Sequence, residues 1–135
     1  MKAAYIDTSL LIGLKFQKST SAASRLIRRY ELFSSELLLA EMAAFGKRES
    51  IAEDLLWDAC KGLSWVIPGN SISTEIKRVM RVGYARGADL WHLACACYLS
   101  PETGALAFLT LDDRQRSLAL NLGFHAPALV QVPGT

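Results

Sequence analysis

Short apolar runs alternate with longer stretches of helical spacing along most of the chain. Residues 3–6, Ala3-Ala4-Tyr5-Ile6, form an apolar run that stops at Asp7-Thr8-Ser9. Such a bounded run predicts a short buried strand. Residues 9–16 then repeat apolar positions at helical spacing. A polar loop over 17–21 follows, and Ser21 or Thr20 is placed to cap a helix running to Arg29. Leu26, Ile27 and Tyr30 give that helix an apolar side, and Arg25, Arg28 and Arg29 a basic one. Residues 31–34 predict a second strand. Ser34 or Ser35 can cap a helix over 36–45, ended by Gly46-Lys47-Arg48.

The alternation continues. A helix is expected over 50–60, with Ile51, Leu55 and Leu56 at helical spacing and Gly62 as its stop. Residues 64–67 predict a third strand, closed by Pro68-Gly69-Asn70. A helix opened by Ser71 or Ser73 runs to about Val82, with Ile72, Ile76, Val79 and Met80 on one face. Asp89 opens a nearly all-apolar helix to Leu99, which calls for burial on most sides. Residues 105–110 are the clearest strand. Asp112 or Asp113 opens a helix to about Leu122, Gly123 closes it, and residues 127–132 offer a fifth strand. Strands that alternate with helices predict an α/β fold, a three-layer α/β/α sandwich whose central sheet is mostly parallel with about five strands. No repeat or interdomain linker interrupts the pattern, so 1–135 reads as one domain.

Four carboxylates stand out against this frame: Asp7, Glu41, Asp89 and Asp112. Each aspartate fits the ordinary role of a helix cap. Together they say more, because Asp7 and Asp112 both follow buried strands. Parallel strands put those ends on one edge, where open α/β sheets bind ligands. Glu41 lies mid-helix with Leu37, Leu38, Ala44 and Phe45 three and four positions away, none able to pair with a charge. A buried lone carboxylate is costly, so Glu41 needs a cation from elsewhere, an arginine or a metal. Several carboxylates on one edge favour Mg²⁺ or Mn²⁺. Such ions support in-line displacement at phosphorus. Ser9 and Thr110 are placed to hydrogen-bond ligands, or simply to bond within their own turns.

These motifs resemble the PIN-domain ribonucleases, and most closely the VapC-type toxins of toxin–antitoxin pairs. Tyr5-Ile6-Asp7-Thr8-Ser9 is similar to the family's opening strand and acid. Leu38-Leu39-Ala40-Glu41-Met42 resembles its helix-borne glutamate, and Asp89-Leu90-Trp91-His92-Leu93-Ala94-Cys95-Ala96 its alanine-rich helix opened by aspartate. Phe108-Leu109-Thr110-Leu111-Asp112 resembles its strand ending in Thr-x-Asp. Two departures from the pattern are the adjacent Asp113 and Leu90, which stands where a small residue is usual. The resemblance implies a metal-dependent endoribonuclease with Asp7, Glu41, Asp89 and Asp112 as catalytic and metal-holding residues. It further implies Mg²⁺ or Mn²⁺ as cofactor, structured RNA, often transfer RNA, as substrate, a homodimer, and inhibition by a small antitoxin protein. The expected products carry a 5′-phosphate and a 3′-hydroxyl.

Composition adds limits. Hydrophobic residues make 51% of the chain and charged residues 21%, which excludes a disordered chain. A mean hydropathy of +0.20 points to surface covered by a partner or a second copy. No apolar run is long enough to span a bilayer, and Asp7 cuts the only stretch with the look of a signal peptide, so a cytoplasmic location is expected. Cys60, Cys95 and Cys97 make an odd count that argues against a disulfide framework. His92 and Cys95 share a helix face but lack further zinc ligands, and His92 reads as a satisfied core histidine. The net charge of +2 is too small to diagnose RNA binding. Basic residues nevertheless flank the acids: Lys15, Lys18, Arg25, Arg28 and Arg29; Lys47 and Arg48; Lys77, Arg78, Arg81 and Arg86; Arg114 and Arg116. Two alternatives stay open. A phosphoaspartyl phosphatase would use Asp7 but wants a second acid two residues on, where Ser9 stands. A non-catalytic module of the same fold would bind RNA or protein without turnover.

Overall fold

A computed structural model describes residues 1–17 and 21–129. Its elements follow the alternation in the sequence. They are β1 (Lys2–Ile6), α1 (Thr8–Phe16), α2 (Ser21–Ile27), β2 (Tyr30–Ser35), α3 (Leu37–Arg48) and α4 (Glu53–Ala59). After them come β3 (Ser64–Val66), α5 (Ser73–Met80), α6 (Gly87–Leu99), a 3₁₀ turn at Thr103–Ala105, β4 (Ala107–Leu109) and α7 (Asp113–Asn121). The sheet runs β3-β2-β1-β4 and every pair is parallel.

Alternation along β1 divides the core. Tyr5 points to one face and packs with Val79, Leu93, Phe108 and Phe124 from α5, α6, β4 and the segment after α7. Ala4 and Ile6 point to the other face and meet Leu10, Leu38, Met42 and Leu56 from α1, α3 and α4. Helices therefore cover both faces, and all carboxyl ends of the strands lie on one edge.

The expected fifth strand is a difference. Among the described residues there are four strands, and Val130, Gln131 and Val132 lie outside them, as do Lys18 and the proposed cap Thr20. At the edge of β4 the chain makes only an isolated parallel bridge, Ala107 with His125. Other boundaries shift for local reasons. Gly46-Lys47-Arg48 continues α3, and Gly46 leaves room for α4 there: a Cβ would collide with the Leu56 side chain. The chain turns instead at Ser50, whose φ of 54° is left-handed. Ser34 and Ser35 belong to β2 and do not cap α3; the Ser34 hydroxyl donates to the Ile6 carbonyl. Met80 is exposed and does not join the core. Cys60, Cys95 and Cys97 are free and buried, with burial pushing each thiol pKa up. No helix among the described residues is long and apolar enough to cross a membrane.

Gly46→Val should destabilise the fold by roughly 1–3 kcal/mol, the usual range for overpacking. Gly69→Ala, where a Cβ meets nothing within 4 Å, should change stability by less than about 0.5 kcal/mol. Urea unfolding of the two variants checks the contrast.

Candidate active site

The site begins where β1 ends. Asp7 follows Ile6, and its backbone N–H donates to the Leu109 carbonyl of β4 at 3.4 Å. Its side chain caps α1, with Oδ1 accepting from the Leu10 N–H at 3.2 Å and from the Ser9 hydroxyl at 2.7 Å. Oδ2 accepts from the Thr110 hydroxyl. Thr110 in turn accepts from the Asp112 N–H at 3.0 Å, and Ser9 from the Leu111 N–H at 3.3 Å. The strand ends of β1 and β4 are thus stitched together through side chains as well as backbone.

Asp112 caps α7, Oδ1 accepting from the Gln115 N–H at 3.0 Å. Gln115 is buried and its amide donates to the Asp89 carbonyl at 2.9 Å, which ties α7 to the first turn of α6. Asp89 is not the cap of that helix: α6 starts at Gly87 with Arg86 before it, so Asp89 lies within its first turn. Glu41 reaches the same place from the middle of α3. Its Oε1 accepts from the Thr8 hydroxyl at 2.8 Å and lies 2.7 Å from Nε2 of His92 on α6. The expectation that Glu41 would need an arginine or a metal for a partner is corrected here. Thr8 and His92 satisfy it, and it is half-buried rather than enclosed.

Asp7, Glu41, Asp89 and Asp112 all line one open cavity of about 370 Å³, with Thr8, Ser9, Ile12, Ala44, Phe45, Arg48 and His92. Asp113 is not among the lining residues. Arg48 is the one lysine or arginine on the wall; it lies seven residues after Glu41, two turns along the same face of α3. The Arg48 guanidinium sits 5.6 Å from the Phe45 ring centre and pairs with Glu49 at 3.1 Å. Two other flanking arginines are held by the fold: Arg78 donates to the Pro101 carbonyl and Arg116 to that of Ala126.

Sequence reasoning missed what His92 does here, although a signal existed. A residue three after Asp89 on a helix shares its face, so an acid that lines a cavity brings His92 toward it.

The electrostatics are strained. Asp7 is 3% exposed. Burial pushes its pKa up, and the bonds from Thr110 and Ser9 offset this only in part. Burial also raises Asp89, and the charges of Asp112 and Glu41 add to the effect. Burial works the same way on Glu41, but hydrogen bonds from His92 and Thr8 outweigh it and hold Glu41 below its ordinary value. Several acids that resist ionising together fit a divalent cation, and carboxylate oxygens suit Mg²⁺ or Mn²⁺. The acids stand apart around the cavity: among the described residues no three Asp, Glu, His or Cys side chains converge closely enough to hold one ion as they stand.

The model of the PIN domain family matches residues 4–121. The chain belongs to the PIN domain family. That match spans both caps, the α3 glutamate and the α6 aspartate. PIN domains are in general nucleases, and in general depend on divalent metal. No curated protein matches the chain significantly.

The raised pKa values have a consequence for stability without metal. Above the ordinary aspartate value of 3.8 the unfolded chain releases a proton that folded Asp7 retains. Stability therefore falls as pH rises from there toward the folded pKa, and the effect vanishes below 3.8, where both states are protonated. In EDTA at pH 7, Asp7→Asn should raise the melting midpoint by roughly 3–5 °C, what about 1 kcal/mol does in a domain of this size. The gain should disappear when melting is repeated at pH 3.5 to 4. A variant less stable than wild type at pH 7 would show that Asp7 is kept for the fold.

Proposed function

We propose that this PIN domain, acting as a single domain, is a metal-dependent endoribonuclease and the toxin half of a type II toxin–antitoxin pair. The observation that supports this most is the meeting of Asp7, Glu41, Asp89 and Asp112 around one cavity at the carboxyl edge of the sheet. Four acids without a cation would repel an RNA phosphate. One or two Mg²⁺ or Mn²⁺ ions held by these acids would neutralise that charge and ease the release of a proton from water at neutral pH.

The chain's own groups do the rest. Thr110 and Ser9 fix Asp7 through both of its oxygens. The capping bond of Asp112 uses Oδ1 and leaves Oδ2 for a ligand. Arg48, held against Phe45 at the cavity wall, is placed to receive a neighbouring phosphate and set the backbone's register. In the reaction a water oxygen bonds to phosphorus in line with the 3′-oxygen, the P–O3′ bond breaks, and the 3′-oxygen takes up a proton. The products carry a 5′-phosphate and a 3′-hydroxyl. Ser9, two residues after Asp7, is a hydrogen-bond donor to it and not the second acid a phosphoaspartyl phosphatase wants. For a homodimer and an antitoxin in the cytoplasm, the support is the motif resemblance and the large apolar side chains left exposed, Leu55, Ile67, Met80 and Tyr84 among them.

Purified protein should cut total RNA, transfer RNA included, into discrete fragments with Mg²⁺ or Mn²⁺ and leave it whole in EDTA. Asp7→Asn should abolish cutting while keeping the wild-type circular dichroism. Cutting by that variant at wild-type rate would sink the reading, and RNA binding without metal-dependent turnover would favour a non-catalytic module. Arg48→Ala should raise KM about 10-fold with kcat nearly unchanged, and lower the salt slope of RNA binding by about 1. An unchanged KM would remove Arg48 from the substrate path.

A further inference from the structure

His92 is the one buried titratable group on the cavity wall to which the proposed chemistry gives no part. It is 1% exposed, on α6, one turn after Asp89. Both ring nitrogens are engaged. Nδ1 lies 2.7 Å from the Tyr5 hydroxyl, and Nε2 lies 2.7 Å from Oε1 of Glu41 and 3.3 Å from the Thr8 hydroxyl oxygen.

The proton positions follow from the partners. The Glu41 oxygen accepts, because a carboxylate has no hydrogen to give. The Thr8 proton is already given to Glu41. Nε2 must therefore carry a hydrogen, since a bare lone pair there would face a carboxylate oxygen. With the hydrogen on Nε2 a neutral ring accepts at Nδ1, where the Tyr5 hydroxyl is the donor within reach. Tyr5 is itself fixed by the core: it stacks on Phe108 at 5.5 Å between ring centres, and Phe108 rests against Phe124 at 5.9 Å. The imidazole meets Tyr5 edge-on at 5.7 Å.

We propose that His92 is the positioning residue for Glu41. It fixes Oε1 and leaves Oε2, which takes part in neither bond, for a cation in the cavity. A glutamate turns about three side-chain bonds, and capture of an ion by a loose one would have to freeze them all. Here His92 of α6 and Thr8 of α1 already hold one of its oxygens. The same geometry rules His92 out as a ligand itself, because its cavity-side nitrogen carries the hydrogen that Glu41 accepts. The inference rests on reading Glu41 as a cation-holding group.

The test is Mn²⁺ binding by isothermal titration to wild type, His92→Leu, His92→Gln and the double variant Tyr5→Phe/His92→Leu, beside melting curves for each. His92→Leu should weaken Mn²⁺ about 10- to 100-fold, the range for losing the partner of a ligand. His92→Gln carries a side-chain N–H toward the same place and should recover to within about 3-fold of wild type. The double variant removes the orphaned hydroxyl as well, so it should recover stability over His92→Leu without recovering Mn²⁺ affinity. Wild-type affinity in either leucine variant, or a His92→Gln loss as large as that of His92→Leu, overturns the proposal. A ¹⁵N spectrum of the imidazole, which needs no metal, should show the proton on Nε2; a bare Nε2 with the proton on Nδ1 alone also overturns it. Wild type that binds no Mn²⁺ overturns the metal reading, and this inference with it. Wild type that binds Mn²⁺ beside a His92→Leu that binds it equally overturns this inference alone.

Discussion

A carboxylate buried at the joint between two strands and a helix has to be satisfied from all sides or it destabilises everything around it. Asp7 is that carboxylate. Its backbone pairs with β4, its first oxygen closes the N-terminus of α1, and its second takes the Thr110 hydroxyl. The arrangement couples the order of the sheet to the position of the acids. If β4 were displaced from β1 by one residue, Thr110 would leave Asp7, and Asp112 would no longer cap α7 beside the cavity. Capping and the proposed chemistry therefore do not compete for these aspartates. The Asp112 cap uses one oxygen, whereas Asp7 is fixed through both, and a fixed carboxylate is what a ligand set requires.

The outer partners extend this logic. Gln115 connects α7 to Asp89, and His92 connects α6 to Glu41. The Glu41 carboxylate and the Asp89 backbone are thereby held by elements other than their own. The aromatic series Phe124, Phe108 and Tyr5 carries the rigidity of the core up to His92. Among the described residues the one lysine or arginine that lines the cavity is Arg48, exposed and braced on Phe45. The acids are fixed and partly buried while the cation is exposed, which suits an inner group of ions and an outer, salt-sensitive contact with a polymer.

Much of this was legible in the sequence, because its causes are local. Apolar runs ending in polar turns located β1 and β4, and acids placed after them had to share an edge. The helical spacing over 36–45 put Glu41 mid-helix, but Arg48 joined its face only because α3 runs on to Arg48 past the expected stop. What was not legible depends on meetings across the chain. Glu41 has apolar neighbours three and four residues away, so its partners, 33 and 51 residues distant, leave no local trace. The start of α6 moved because Gly87 and Ala88 fit a first turn as well as a loop does. Met80 follows the same spacing as Ile72 and Val79 yet lies exposed, since the spacing marks a face but not where the packing against it ends.

The sheet order has a consequence for how such a protein is made. β1 is synthesised before β2, β3 and β4 and is one of the two central strands, and β4, its neighbour on one side, does not exist until residue 109 has been added. Until then Asp7 has neither the Leu109 carbonyl nor the Thr110 hydroxyl, and Asp112 is not yet part of the chain. A nascent chain still being translated is in the presence of RNA throughout its synthesis. With Asp7 after β1 and Asp112 after β4, the cavity that both line is not assembled until both strands have been made.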